Sequence, residues 1–414
     1  MTLPFRLAPC PLRARRRIRP GADTLADVPT ALTAPTTPAA LRDRLSRLAG
    51  QAATSGADAI LVCPGPDMLY LIGHAVPSHE RLTCLVVPAD GPAQVLVPTL
   101  ERPGWSGTTA EDLGLPFTTW TDGQDPYAAL ADLLAESCAG DARVLSVDYH
   151  MPAVHALGIQ AAVPGSELTL AGEAIAELRM RKDPAEVAAL REVGAAIDRV
   201  QRRIGQWLRA GRTENEVAAD IAAAIVAEGH THADFVIVGS GPHGASPHHD
   251  ASDRVIQAGE PVVIDIGGPA PSGYYSDCTR TYITGGTGGV TAVDPQVREV
   301  YEVVRAAQAA GVAAAGPGVP AESVDAAART VIEEAGYGQY FITRTGHGIG
   351  LEVHEHPYIV AGNTRLLEPG MAFSVEPGIY LPGRFGVRIE DVVIVTDGGA
   401  ELANNAPTDL IVLD

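Results

Sequence analysis

Apolar and polar positions alternate from Thr37 onward in a way that separates helices from strands. TTPAALRDRLSRLAGQAATSG carries helical spacing, and ADAILVCPG is a short apolar run closed by Pro and Gly, so a helix and then a strand are predicted. PDMLYLIGHAVPSHE reads as a turn-rich connection. RLTCLVVPADG and AQVLVPTLE predict two strands, DPYAALADLLAESCAG a helix capped by Asp125 with Pro126 at its first position, and ARVLSVDY a further strand. Such alternation predicts a mixed sheet covered by helices.

A junction is expected at Gly172 to Glu177. Beyond it, DPAEVAALREVGAAIDRVQRRIGQWLRAG predicts one long helix, opened by the capping pair Asp183 and Glu186 with Pro184 in the first turn. Val187, Leu190, Ile197, Val200, Ile204 and Leu208 share one face, and Gly211 stops the helix. Thr213 and Glu216 form a second capping box, opening a helix that ends at Gly229. The pattern recurs in DPQVREVYEVVRAAQAAGVAAAG and AESVDAAARTVIEEAG. Each helix pair precedes strand-like segments rich in Asp, His or Glu. This weak internal repeat suggests two half-domains whose strands surround a shared centre.

Length and composition narrow the choices. A chain of 414 residues is too long for one ordinary core. The expected layout is a basic tail over residues 1–36, an α/β domain over 37–172 and a second domain over 176–414. The tail holds paired arginines but no apolar segment after them, so an export signal is not expected. No apolar run approaches the ~20 residues that span a bilayer. A net charge of −20 argues against a nucleic-acid partner. Five cysteines, Cys10, Cys63, Cys84, Cys138 and Cys278, form no CxxC, which speaks against thiolate zinc and a disulfide framework and for the reducing cytoplasm.

Five short segments carry the candidate chemistry: VVIDIGG with Asp265, YYSDCTRTY with Asp277, TGHGIGLEVHEHP with His347 and His354, AFSVEPGIY with Glu376, and GVRIEDVVIV with Glu390. Asp265 ends a buried-strand run, and both glutamates interrupt apolar sequence. A single acid so placed usually marks a buried ion pair, because an unpaired buried charge costs several kcal/mol. Four acids with a glycine-flanked histidine point instead to metal. The only bases in these motifs are Arg280, Arg388 and the histidines. An oxygen-rich donor set suits Mn²⁺ or Co²⁺ better than thiolate-type zinc. A carboxylate shared by two such ions, about 3.5–4 Å apart, suits a bridging hydroxide and therefore hydrolysis.

Residues from about 176 to 405 resemble the pita-bread metallopeptidases: methionine aminopeptidase, aminopeptidase P and prolidase (Xaa-Pro dipeptidase). The ordered ligands Asp, Asp, His, Glu, Glu stand inside IDIGG, SDCTRT, GHGIG, VEPGIY and RIED. The preceding region, with its Tyr70–Gly73 segment YLIG, resembles the N-terminal domain of prolidase, aminopeptidase P and creatinase. The resemblance implies an α/β (α+β) protein: a creatinase/prolidase-like α/β domain followed by a pita-bread catalytic domain. It also implies two divalent ions per chain, Mn²⁺ first and Co²⁺ or Zn²⁺ next, and a homodimer.

Roles follow residue by residue. Asp265 would chelate one ion, Asp277 and Glu390 would bridge both, and His347 with Glu376 would complete the second ion's shell. Glu376 would also take the proton of the attacking water. His248 would hydrogen-bond the substrate or tetrahedral intermediate, with neighbouring His249 the competing assignment. His354 would contact the substrate near the scissile bond. Arg388 would orient the site or bind a substrate carboxylate. The glycines beside His347 would let backbone and substrate approach the metals closely. His356 reads as a solvated turn residue, and Cys278 should point away along its strand. DIGGPAPSGYYSD is one residue longer than usual in the family, and its Pro-Ala-Pro is expected to bulge at the hairpin.

The implied activity is hydrolysis of the amide before proline in an Xaa-Pro dipeptide. That amide has no N–H and a fixed φ, so it needs a dedicated pocket. A dipeptidase must also capture the proline carboxylate, for which Arg384, Arg388 or Arg81 of an N-domain loop, from the same chain or a partner subunit, are candidates. The alternative is aminopeptidase P, which takes longer Xaa-Pro peptides; modest chain length and short connections favour the dipeptidase. A metal-free creatinase-like hydrolase and a non-catalytic binding module share the fold but lack the ligands, all five of which are present here.

Overall fold

The computed structural model describes residues 36–74, 76–77, 79–138, 142–285 and 293–413. The basic tail, except Thr36, and Cys10 lie outside the described residues.

The first layer is a six-stranded mixed sheet in the order β4-β3-β2-β1-β5-β6. Its strands are β1 Ala59–Val62, β2 Cys84–Pro88, β3 Gln94–Pro98, β4 Phe117–Trp120, β5 Val144–Val147 and β6 Glu167–Leu170. Alternate side chains serve two cores. Ile60, Val62, Leu85 and Val87 pack under α1 (Pro38–Ser55), α2 (Pro66–Ile72) and α6 (Gly172–Met180). Leu61, Cys84, Val86 and Leu96 face α4 (Pro126–Ser137) and α5 (Ala153–Ala162), while the short α3 (Thr109–Asp112) lies between β3 and β4 in sequence. The expected turn-rich stretch at Pro66 is a helix instead. Its residues Asp67 to Ile72 are all buried, so it shows no amphipathic period to read. Residues 172–177, expected as a junction, lie within α6.

The second part repeats one plan. Helices α7 (Pro184–Gln201) and α8 (Glu214–Ala227) precede β7 (Phe235–Ser240), β8 (Pro261–Pro269) and β9 (Tyr275–Thr284). Helices α9 (Pro295–Ala314) and α10 (Ala321–Glu334) precede β10 (Gly346–Gly348), β11 (Glu355–Ile359), β12 (Ala372–Val375), β13 (Gly378–Leu381), β14 (Phe385–Arg388), β15 (Asp391–Thr396), β16 (Gly399–Leu402) and β17 (Ile411–Leu413). Both expected capping boxes form, at Asp183/Glu186 and Thr213/Glu216. The long helix stops at Gln201 rather than running to Gly211, and a 3₁₀ turn at Ile204–Gln206 follows it. Strand orders are β17-β9-β8-β7 and β11-β10-β12-β15-β16, with β13-β14 as a separate hairpin. Helices cover the outer faces: Ile264, Ile266 and Cys278 pack with α7 and α8, and Ile379, Val387 and Ile389 with α9 and α10. The inner faces are left to enclose a site.

One core spans both parts. Ile349, Leu351, Ala372 and Val392 belong to the same buried cluster as Ile60 and Leu71.

Candidate active site

Strand register places the acids. β8 and β9 pair without a shift from Pro261↔Ile283 to Pro269↔Tyr275, so Asp265 opposes Thr279 and Gly267 opposes Asp277. Directly paired residues share a face, which puts Asp265, Asp277 and Thr279 on the inner side. Cys278 and Ile266 form a pair on the other side, as expected. The extra residue of DIGGPAPSGYYSD does not bulge the ladder; it is taken up in the tip at 270–274, where Gly273 has φ 85°.

The glutamates sit where a ladder breaks. Val375 pairs with Asp391, and Gly378 pairs with Arg388. The same register carries across the gap and sets Glu376 opposite Glu390. Neither N–H serves that ladder: Glu376 N donates to Thr345 O at 2.8 Å and Glu390 N to Thr279 O at 3.1 Å. His347 enters from β10 between two glycines. A Cβ on Gly346 would lie 2.7 Å from the Ser374 carbonyl carbon, and one on Gly348 2.6 Å from the Glu355 oxygen. These glycines admit the flanking strands β12 and β11, so the close approach of backbone that they allow is that of the neighbouring strands.

The resulting cluster is tight. His347 Nε2 is 3.0 Å from Glu376 Oε1 and 3.6 Å from Asp277 Oδ2. His347 Nδ1 donates to Gly348 O at 3.1 Å, which fixes the tautomer and leaves Nε2 facing the acids. Asp277, His347 and Glu390 bring one ligand atom each within 4.8 Å of one another. Thr279 Oγ1 donates to Glu390 Oε2 at 2.7 Å, and Ser374 Oγ to Glu376 Oε1 at 3.0 Å. Thr279 and Ser374 each stand two residues from a ligand-type acid on the same strand face, a spacing that sequence alone could have revealed.

Electrostatics fit a cation centre. Burial, then the neighbouring Asp265 charge, pushes Asp277 well above the usual carboxylate range. Burial, then Asp277, does the same to Glu390. Burial alone would raise Glu376, yet the His347 hydrogen bond pulls it below its ordinary value. Asp265 Oδ1 and Glu390 Oε1 are buried and have no hydrogen-bond partner among the described residues. Orphaned carboxylate oxygens of this kind cost several kcal/mol unless a cation meets them. The residues therefore fit divalent metal, and the oxygen-rich donor set favours a hard or borderline ion.

Arg388 is 2 % exposed, and its guanidinium donates to Asp265 Oδ2 at 2.6 Å, Tyr380 Oη at 2.8 Å and Thr279 Oγ1 at 3.1 Å. Each of its three nitrogens makes one hydrogen bond, and the bond to Asp265 is the contact that ties Arg388 to the acid cluster. Arg384 is corrected: it lies exposed at the β13–β14 tip, away from the cavity, because the hairpin turn carries it out of the ladder. Arg81 is likewise held elsewhere in its own chain, by Asp122 at 2.9 Å and by Glu80. Arg280 points outward and pairs with Asp391 at 2.6 Å.

A cavity of about 690 Å³ opens over the cluster, lined by Asp265, Asp277, His347, Glu376, Arg388 and Glu390 on one side and by His248, His354 and Arg344 on another. His249 also borders it, but its Nε2 is bound to buried Glu214 at 2.8 Å, so His248 is the freer of the two. The His354 ring packs edge-on to His347 at 4.2 Å. Desolvation is the main cause that lowers His354 to about 4, which keeps it neutral. His356 is a half-buried residue of β11 and not a solvated turn. Arg344, which sequence reasoning did not select, stacks over Tyr358 at 4.5 Å and makes no hydrogen bond among the described residues.

Among the described residues, no helix is long and apolar enough to cross a membrane. Residues 188–397 match the metallopeptidase family M24 and residues 44–181 the creatinase/prolidase N-terminal domain. The chain is 51% identical over 370 residues to a protein named probable dipeptidase PepE of Mycobacterium tuberculosis, covering 89% of this chain and 96% of that one. It is 36% identical over 353 residues to the Xaa-Pro dipeptidase of Lactobacillus helveticus, covering 83% and 92%. The crystal structure of dipeptidase PepE from Mycobacterium ulcerans superposes with a TM-score of 0.85 at 50% identity, covering 91% of this chain and 99% of that chain. With its creatinase/prolidase-type α/β domain ahead of a pita-bread catalytic domain, the chain belongs to metallopeptidase family M24.

Proposed function

We propose that this protein is a two-metal Xaa-Pro dipeptidase. The observation that carries the reading is the convergence of Asp265, Asp277, His347, Glu376 and Glu390 in one cavity with two carboxylate oxygens left orphaned. Two divalent ions held by these five residues, Mn²⁺ first among them, would supply an activated water and a polarised carbonyl. The chain supplies the rest. Glu376 faces the cavity and would accept the proton of the attacking water. His248 and His354 line the cavity and offer ring N–H donors to the substrate carbonyl and its tetrahedral successor. Arg388 holds Asp265 in place.

Dipeptide length is set by a cation at the far wall. Arg384 lies exposed outside the cavity lining and Arg388 is bonded to Asp265, whereas Arg344 makes no hydrogen bond among the described residues, borders the cavity and would meet the proline carboxylate as a forked, charge-assisted partner. The relatives' names, dipeptidase and Xaa-Pro dipeptidase, support this specificity.

The test is cleavage of Ala-Pro, Ala-Pro-Ala and a longer Xaa-Pro peptide, first by metal-stripped protein and then with Mn²⁺ restored. Metal-dependent cleavage of the dipeptide alone supports the proposal. Equal cleavage of longer peptides would move the assignment to aminopeptidase P. Inactivity on all three, in protein holding two ions, would refute proline specificity.

A further inference from the structure

Glu352 lies in the loop between His347 and His354, yet its carboxylate turns away from the metal ligands. It reaches the N-terminal layer. His150 Nε2, just after β5, donates to Glu352 Oε1 at 2.9 Å, and Arg179 Nη1, on α6, donates to Oε2 at 2.7 Å. The same two bases share a second acid: Arg179 Nη1 donates to Asp67 Oδ1 at 2.7 Å, and His150 Nδ1 lies 3.4 Å from Asp67 Oδ2. Arg179 is 6 % exposed, and its Nη2 is 3.0 Å from Glu355 Oε2. One buried guanidinium thus grips Glu352 and Glu355, the acids on either side of His354. Behind His354 lies a second cavity of about 140 Å³, walled by Asp67, His150 and Arg179. Side-chain packing does not fill that space, so ion pairs restrain the loop there.

We propose that Arg179 and His150 are positioning residues for the hydrolytic reaction: by holding Glu352 and Glu355 they fix the loop that presents His354 to the substrate. The inference rests on the proposed role of His354 as a substrate contact. It makes the N-terminal domain a working part of the active site rather than a separate cap. With Lys182 Nζ 3.7 Å from Glu355 Oε1, three bases and three acids close the network across four separate chain segments, so loss of Glu352 or His150 loosens the loop on one side of His354 without touching a metal ligand.

The test uses full-length, Mn²⁺-loaded protein carrying Glu352→Gln, His150→Gln, both together, or His150→Lys. Glu352→Gln is expected to keep two ions per chain and to lower kcat on Ala-Pro about ten-fold or more, as a displaced contact does. The double variant should be no worse than Glu352→Gln alone, and His150→Lys, which restores a cation facing Glu352, should recover part of the rate lost in His150→Gln. Amide exchange of residues 349–356, read without any substrate, should quicken in Glu352→Gln. Unchanged kcat with only a lower Tm, multiplicative losses in the double variant, or unchanged exchange would each overturn the proposal. A wild-type enzyme inactive on Xaa-Pro peptides would refute the substrate assignment instead, and the exchange measurement would still decide the loop.

Discussion

Gly346→Ala isolates how the site is assembled. The φ of Gly346 is not positive, so alanine carries no torsional penalty there. The cost is steric. Its Cβ would stand 2.7 Å from the carbonyl carbon of Ser374, with the oxygen nearer still. Carbon–carbon contacts begin at about 3.5 Å, so β10 and β12 must part by at least about 0.8 Å. That is a backbone-on-backbone clash, which no rotamer change relieves. Overpacking of this kind costs about 1–3 kcal/mol, or roughly 2 to 10 °C in Tm. The catalytic effect should be larger. His347 N is bonded to Ser374 Oγ at 3.1 Å, and Ser374 Oγ to Glu376, so parting the strands moves His347 away from Glu376. A misplacement of about 1 Å can cost about 10²-fold in rate. The assay is kcat on Ala-Pro beside metal content by emission spectroscopy and Tm by calorimetry. Gly316→Ala is the control: nothing lies within 4 Å of its Cβ and its φ is not positive, so it should behave as wild type. A Gly346→Ala protein that binds two ions and turns over at the wild-type rate would refute the reasoning.

Other substitutions address single contacts. Arg344→Ala should raise KM for Ala-Pro about ten-fold or more while leaving kcat and the cleavage of Ala-Pro amide largely unchanged; equal losses on both substrates would exclude a carboxylate contact. Arg388→Lys replaces a guanidinium with three partners by an ammonium that cannot span them, and should destabilise by about 3 kcal/mol in urea melts, with kcat falling in step. His150 is raised to about 10 by its hydrogen bonds to Asp67 first and Glu352 second. A raised base stabilises fully below its unfolded value near 6.5 and loses that contribution as pH climbs through about 10. His150→Gln should therefore lose most stability relative to wild type at pH 6 and least at pH 10.5, measured by paired urea melts; a pH-independent difference would count against the ion pairing.

The elements with strong local signals were legible in sequence. Asp183, Thr213, Asp125 and Asp294 open helices where their side-chain chemistry predicts. The five ligand-type residues were also legible, because acids interrupting apolar strands carry a cost that demands a partner. The helix at Pro66 was not, because a segment buried on every side has no polar face to mark its period. Sequence could not rank Arg344, Arg384 and Arg388 as carboxylate partners either. That order depends on which guanidinium is already engaged, and Tyr380, Thr279 and Asp265 engage Arg388 from three separate strands. The Glu352 junction was hidden for a similar reason, since its partners lie 202 and 173 residues away.

The strand register carries a lesson about where this chain tolerates length. Adding one residue between Val375 and Gly378, or between Arg388 and Asp391, would turn a glutamate to the opposite face and uncouple Glu376 from Glu390. Insertions at hairpin tips leave the ladders in phase, because the β8–β9 pairing runs without a shift up to Pro269↔Tyr275 and ends there. The tips at 270–274 and 382–384 are therefore natural points for grafting a reporter peptide or an affinity handle. The few residues between β12 and β15 that bear the glutamates admit neither insertion nor deletion.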